Sequence, residues 1–394
     1  MEHILTMDEL LKIPAVFVRG GTSRAVLFQA TDLEHFSKTQ IDSILLTVLG
    51  SPDNSGRQVD GLGGGFSSLS KAAIISPSSK PGIDVEFNFA QVDIETSFVD
   101  WSGTCGNISS AVGPFAINQG LVELTKPVTE VSVLATNTGK TFLCSVPVSD
   151  EGPLPVGNFA IDGVPGTASK IALKFNDPGG SLGKGIMPTK KLIDDITTIS
   201  HGNYSVSVVD VGIPTIFVLT EDLNHRVSSK LEDLDTDLET KNILEAIRCE
   251  VAVILGLATN VEKAHAESPA LPKIVLISST SDYIARNKQK VNSKDINLRA
   301  IAISMGQVHR TFPVSVSMAT AVAAHVKGTL VSNIVRNVKL EELTIGHPGG
   351  VMKVGAEVAE ARGEWLVNTA TIFRTSRTIM EGNVIVPASK LQMN

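Results

Sequence analysis

The chain has 394 residues, enough for two or three domains. Apolar residues make up 42% and charged residues 19%, which excludes a disordered chain and supplies material for a large core. The formal net charge of -7 excludes a broad basic surface for nucleic acid. No apolar run, the longest lying around 251–258, is long enough to span a membrane. The first residues carry acidic side chains and no basic segment ahead of an apolar run, so they do not read as a signal or transit peptide. Three cysteines, Cys105, Cys144 and Cys249, are no disulfide framework. The expectation is a cytoplasmic protein in a reducing compartment.

In chain order, strands are predicted over 13–18 and 25–28, flanking the turn Arg19-Gly20-Gly21-Thr22-Ser23. A helix follows over about 40–49, then an alternating strand over 85–92 and a small-residue helix over 107–118. Strands over 131–135 and 141–146 read as a hairpin around Asn137-Thr138-Gly139. The strand, turn, strand and acidic helix start of 15–33 recur over 206–223, followed by a helix over 239–257 and a small-residue helix over 315–326. This weak echo predicts two similar α+β halves. A first domain of 1–190, joined by a returning strand within 375–394, is expected beside a second of 191–374, with the Gly- and Pro-rich stretch 177–191 crossing between them.

The densest candidate chemistry is Asp100-Trp101-Ser102-Gly103-Thr104-Cys105-Gly106-Asn107, where glycines flank Cys105 ahead of the 107–118 helix. Unpaired backbone N–H groups and the positive helix end favour an anionic sulfur there, or hold a substrate carboxylate. Cys144, in a strand, and Cys249, on the apolar face of a helix, read as core residues. A second candidate is the glycine run 61–65 with Ser67, Ser68 and Lys71. It lacks P-loop spacing and the strand that a dinucleotide fingerprint requires, but a lysine head in a pocket suits base chemistry. The turn at Arg19–Arg24 combines glycines, hydroxyls and guanidinium groups, which suit a carboxylate. Gly346-His347-Pro348-Gly349-Gly350 forms another glycine turn, and His309-Arg310 precedes the small-residue helix of the second half. Neither histidine has a partner at metal-ligand spacing, so no metal is expected. No Gly-x-Ser-x-Gly elbow accompanies a plausible triad, and there is no Cys-x-x-Cys or His-Glu-x-x-His motif. The residues therefore point to proton transfer beside a carboxylate in a pocket without a cofactor.

The segments RGGTSRAVLF (19–28), DGLGGGFSSLSKAAI (60–74), DWSGTCGNISSAVGPFAI (100–117), DPGGSLGKGIMPT (177–189), MGQVHRTFPVSVSMATAVAA (305–324) and GHPGGVMKVGAEV (346–358) together resemble the PrpF family, from about residue 13 to 387. The family contains isomerases of 2-methylaconitate, aconitate, methylitaconate and 4-oxalomesaconate. The resemblance implies a diaminopimelate epimerase-like fold, in which two similar domains each wrap a curved mixed sheet around a central helix and the active site lies in the cleft between them. It places Lys71 and Cys105 at the acid/base positions. It places substrate carboxylates at Arg19, Gly21, Thr22 and Ser23; at Gly64, Gly65, Ser67 and Ser68; and at Ser102, Gly103, Thr104, Gly106 and Asn107. In the second half it points to Gly180, Ser181 and Lys184, to His309 and Arg310, and to His347 and Gly349. The partner it implies is a small tricarboxylate, with neither nucleic acid nor membrane. β-rich apolar chains of this size often form homodimers. Two departures stand out. Arg24-Ala25 replaces the family's usual Lys-Gly, and Ser315-Val316-Ser317-Met318-Ala319 replaces a Thr-Gly-Ala run followed by cysteine. The absence of cysteine near 315–320 disfavours a two-thiol racemase. A non-catalytic tricarboxylate-binding accessory protein is the competing reading.

Overall fold

A computed structural model describes residues 9–223, 234, 236–268, 271–304, 306–335, 342–361 and 363–391. The chain divides into two compact units, one of Met1–Lys174 with Phe373–Asn394 and one of Phe175–Ile372. Residues 175–190, assigned from sequence to the first half, fall in the second unit.

In the first unit β1 (Leu10–Gly20) and β2 (Ser23–Gln29) form a tight hairpin whose last pair is Gly20 with Ser23. Helix α1 (Lys38–Leu49) opens on a capping box between Ser37 and Gln40 and closes on left-handed Gly50. β3 (Lys71–Pro77) runs parallel to β2, and β4 (Val85–Val92) antiparallel to β3. The short β5 (Val99–Asp100) pairs with the end of β4 and leads by a loop into α2 (Ser109–Asn118). β6 (Val128–Ala135) lies parallel to β4 and forms the expected hairpin with β7 (Lys140–Ser149); β8 (Gly152–Pro153) and β9 (Ile171–Asn176) follow.

The second unit repeats this plan. After β10 (Asp194–Thr198), β11 (Gly202–Val211) and β12 (Ile213–Leu219) form a hairpin, and α3 (Leu238–Leu255) and α4 (Val261–Glu267) follow. β13 (Lys273–Ser278) is parallel to β12. Past the small pair β14 (Tyr283–Ile284) and β15 (Lys290–Val291), β16 (Leu298–Ser304) is antiparallel to β13. β17 (Gln307–Val308) leads to α5 (Val314–His325) and α6 (Leu330–Ile334). β18 (Leu343–His347) is parallel to β16, and β19 (Gly350–Ala361) and β20 (Glu364–Arg374) complete a meander. The succession of pairings is therefore the same in both units: antiparallel, parallel, antiparallel, parallel, antiparallel. The internal echo of the sequence corresponds to a repeated topology.

The last strand, β21 (Ser376–Pro387), pairs antiparallel with β1 from Leu10↔Pro387 to Gly20↔Ser376, with one bulge at Phe17/Val18. Among the described residues no helix is long and apolar enough to cross a membrane.

Among the described residues each unit has a long helix that buries one face and a helix whose central stretch is buried all round. α1 lays Ile44, Leu45, Val48 and Leu49 against Val26, Phe28, Ala72, Ala90 and Val386 of the strands. α3 does the same with Leu244, Ile247 and Val251 against Val208, Ile216 and Leu276. In α2 every residue from Ser109 to Ile117 is buried, and in α5 every residue from Val316 to Ala323. Small residues on these helices let strand side chains approach closely. A Cβ built on Gly113 would lie 2.6 Å from Cys144 Sγ and 2.8 Å from Val146 Cγ2. Gly113→Ala is therefore expected to destabilise the protein by about 1–3 kcal/mol through overpacking. Chemical denaturation reads this, and unchanged stability would show that the Cys144 side chain yields.

Candidate active site

The first unit brings the β1–β2 turn and the end of β20 to the start of α2. The helical turn reaches back to Cys105, because Ser109 N–H donates to its carbonyl at 2.9 Å. The N–H groups of Gly106, Asn107 and Ile108, ahead of α2, have no acceptor among the described residues. Cys105 is half-buried, while Cys144 and Cys249 are buried. Burial pushes the Cys144 thiol up to about 12 and the Cys249 thiol up to about 11, which suits the structural reading given to both.

Over this helix start sits the β1–β2 turn. Asn107 Nδ2 donates to Thr22 Oγ1 at 3.1 Å, and Asn107 Oδ1 accepts from Thr22 N–H at 3.5 Å. Gly21 has φ +50°, and a Cβ there would lie 2.2 Å from Asn107 Oδ1. Only glycine fits both the left-handed backbone and the close approach. Ser23 is buried at the start of β2. Arg19 holds the turn from beneath, its Nη1 donating to the carbonyls of Gly21 and Thr375 at 2.9 Å each. Burial, and then Arg377, pull the Arg19 guanidinium below its ordinary value.

Lys71 is the first residue of β3 and is only 8% exposed. It stands directly across from Gln91, whose Oε1 accepts from its ammonium group, and its Nζ lies 5.2 Å from the centre of the Phe89 ring. Among the described residues no carboxylate pairs with it. Gln91 is fixed in turn by donating to the carbonyls of Ser67 and Ser70. Gln91 also pairs with Asp100, so the strand carrying Lys71 and the strand that launches the Cys105 loop flank the same β4 residue. The loop is pinned by Trp101, whose Nε1 donates to Asp42 at 2.8 Å, and by Asn137, which donates to the Trp101 carbonyl. Ser102 closes an Asx turn on Asp100, and hydrogen bonds from Ser102 hold that carboxyl below its usual range. Thr104 is exposed, and a Cβ on Gly103 would meet open space.

The glycine run 61–65 has a packing role. Gly63 N–H donates to Leu49 and Gly65 N–H to Gln58 Oε1, and Gln58 is only 1% exposed. A Cβ on Gly64 would lie 2.6 Å from Arg24 Nη2. Ser67 and Ser68 belong to the short helical turn before β3.

The candidates in the second unit are more committed to the fold. Ser181 Oγ and Leu182 N–H wrap the fully buried Asp210 carboxylate, and left-handed Gly180 donates to the Asp210 carbonyl. Lys184 Nζ donates to Leu255 O at the end of α3. His347 is 3% exposed, stacks on Phe312 with ring centres 6.0 Å apart, and accepts from Gly349 N–H at 3.1 Å. His309 accepts from Thr311 N–H, and burial pulls its imidazole down, away from the charged form. Arg310 is exposed. Gly212, in the β11–β12 turn, approaches Met318 and Ser315 of α5, as Gly20 and Gly21 approach Asn107 and Ile108.

The family described as PrpF protein matches residues 10–387. The chain belongs to the PrpF family. This PrpF-family chain is 37% identical over 387 residues to the 2-methyl-aconitate isomerase of Cupriavidus necator, covering 96% of its own length and 98% of that protein. The crystal structure of a methylitaconate-delta-isomerase matches with a TM-score of 0.89 and 35% identity, over 98% of each chain. A hydroxyproline epimerase from Agrobacterium vitis matches at a TM-score of 0.51 and 13% identity, which shows a shared epimerase-like fold. The protein is an isomerase with the expected α+β, epimerase-like architecture.

Two further features of this PrpF-family protein were not foreseen from sequence. Arg374, at the end of β20, donates from Nε to Asn107 Oδ1 at 3.1 Å. Nothing local in the strand around it marks the residue, since only the return of β21 to β1 brings it there. In the second unit Glu245, Cys249 and His265 bring three metal-capable atoms together. Arg248 already engages two of them, donating to both Glu245 oxygens at 2.6 and 2.8 Å and to Cys249 Sγ at 3.2 Å, while His265 Nδ1 lies 2.8 Å from Glu245 Oε1. Its other donors hold the carbonyls of Ala264, Ser268 and Leu271, so the cluster anchors α3 to the α4 segment and does not suit a metal ion.

Proposed function

We propose that this isomerase moves the double bond of an aconitate-type tricarboxylate, converting 2-methyl-cis-aconitate or cis-aconitate to its trans isomer without a cofactor. The observation that carries the reading is the α2 start. Cys105, the open N–H groups of 106–108 and the Gly21–Thr22 turn stand together there, in the unit that also buries Lys71 without a carboxylate partner. The activities for which its relatives are named, 2-methyl-aconitate and methylitaconate isomerisation, support the substrate class.

In this reading Lys71 takes an allylic C–H proton made acidic by conjugation with the adjacent carboxylate. The C–H electron pair becomes the new double bond, and the old double bond supplies the pair that takes a proton from Cys105 at the far carbon. Charge on the dienolate is met by backbone N–H groups aimed at the carboxylates. No electron leaves or enters, so no redox partner is needed. With plain aconitate the trans product forms when the former single bond is held in the trans arrangement as it becomes double. With the methylated substrate, rotation about the former double bond within the dienolate and return of the proton to the carbon that lost it give the trans isomer.

The test is incubation of the purified protein with each substrate in deuterated water, followed by NMR. Isomer formation with deuterium at the allylic carbons is expected. Neither isomer nor deuterium from either substrate would overturn the proposal, and tight binding without turnover would favour the accessory-protein reading.

A further inference from the structure

Arg374 is 7% exposed, and its guanidinium meets only neutral acceptors, Asn107 Oδ1 at 3.1 Å and the carbonyl of Phe373 at 2.9 Å. Among the described residues Nη2 has no acceptor and no carboxylate pairs with the side chain. A cation at this depth is costly unless an anion faces it. Burial pulls the guanidinium down to about 10, and the nearby Cys105 sulfur acts in the opposite direction. Asn107, the residue Arg374 holds, is the one that spans the Thr22 turn and the open N–H groups of the helix start.

We propose that Arg374 is a specificity-determining residue whose guanidinium receives a carboxylate group of the ligand beside Cys105. The proposal rests on reading the α2 start as a carboxylate site. Arg374 Nη2 is not among the buried donors left without a partner, so it faces accessible space in which a ligand carboxylate can meet it. The fork geometry of arginine suits a planar carboxylate, and a bond between two charged partners is about twice as strong as a neutral one.

Alkylation of Cys105 tests this without any turnover. Cys105 is half-buried and the other two cysteines are buried, so it is the thiol that reacts. Iodoacetate carries a carboxylate, and iodoacetamide is its neutral counterpart. The ratio of their rates on Cys105, followed by peptide mass spectrometry on the full chain, is expected to fall about tenfold in Arg374→Gln, the order of one charge-assisted hydrogen bond. It should fall less, by several-fold, in Arg374→Lys, which keeps the charge and loses the fork. An unchanged ratio in a folded Gln variant overturns the proposal. If the Gln variant does not fold, protection of Cys105 from iodoacetamide by tricarballylate carries the test. Arg374→Lys should weaken that protection several-fold, because a point charge replaces the fork, and equal protection overturns the proposal. Failure of the wild type to isomerise any aconitate would remove the proposed reaction and leave the alkylation result standing. An unchanged alkylation ratio in an enzyme that isomerises aconitates would remove only the role of Arg374.

Discussion

Lys71→Ala is expected to lower the isomerisation rate by about 10²- to 10⁴-fold, the contribution of a positioned general base. The argument is geometric. Lys71 opens β3 with its head buried, held by Gln91 and set over Phe89, and has no carboxylate to keep it as a permanent ion pair. Alanine leaves the strand intact, because Ala72 and Ala73 already show that small residues pack there, and Gln91 keeps its bonds to Ser67 and Ser70. Lys71→Arg should lose as much activity, since a guanidinium stays protonated and cannot accept the proton. Steady-state rates with deuterium uptake measure both. A Lys71→Ala variant at full rate would assign the base elsewhere.

Cys105→Ala is expected to cost about 10²-fold or more in product formation while substrate binding persists through the N–H groups and the Thr22 turn. If Cys105 is the opposing acid, the variant should still exchange the allylic proton with solvent, because Lys71 remains. Exchange without isomerisation is then the signature. Loss of exchange together with product formation would reverse the two assignments. Cys105→Ser should fall between, since a hydroxyl of similar shape is a weaker acid at this position.

Much of the fold was legible from pattern. The helices at 40–49, 107–118, 239–257 and 315–326 appear as Lys38–Leu49, Ser109–Asn118, Leu238–Leu255 and Val314–His325. α1 and α3 show amphipathic spacing, and α2 and α5 stand out as small-residue runs buried on every side. The repeat was legible because each hairpin must be followed by a helix that covers the same face of its sheet. Element ends shifted by one to two residues, as helix termini do.

The site was legible only in part. The Gly21–Thr22 turn and Cys105 carry local signals, a glycine pair and a cysteine at a helix start. The glycine run 61–65 carried an equally strong local signal, yet its N–H groups at Gly63 and Gly65 serve Leu49 and Gln58. Ser181 and Lys184 likewise serve Asp210 and Leu255. A glycine turn looks the same in sequence whether its donors face a ligand or the protein, because the difference lies in which distant segment comes to meet it.

The sequence by itself determined the α+β class, the repeated order of elements and the residue types of the site, since periodicity, turn chemistry and helix starts are local properties of the chain. Tertiary structure alone decided the partners. Arg19 meets Thr375 across 356 positions, and Arg374 meets Asn107 across 267, because β21 returns to pair with β1. Strand pairing is a long-range hydrogen-bond choice that a chain can satisfy in many registers, and only the packed core selects one.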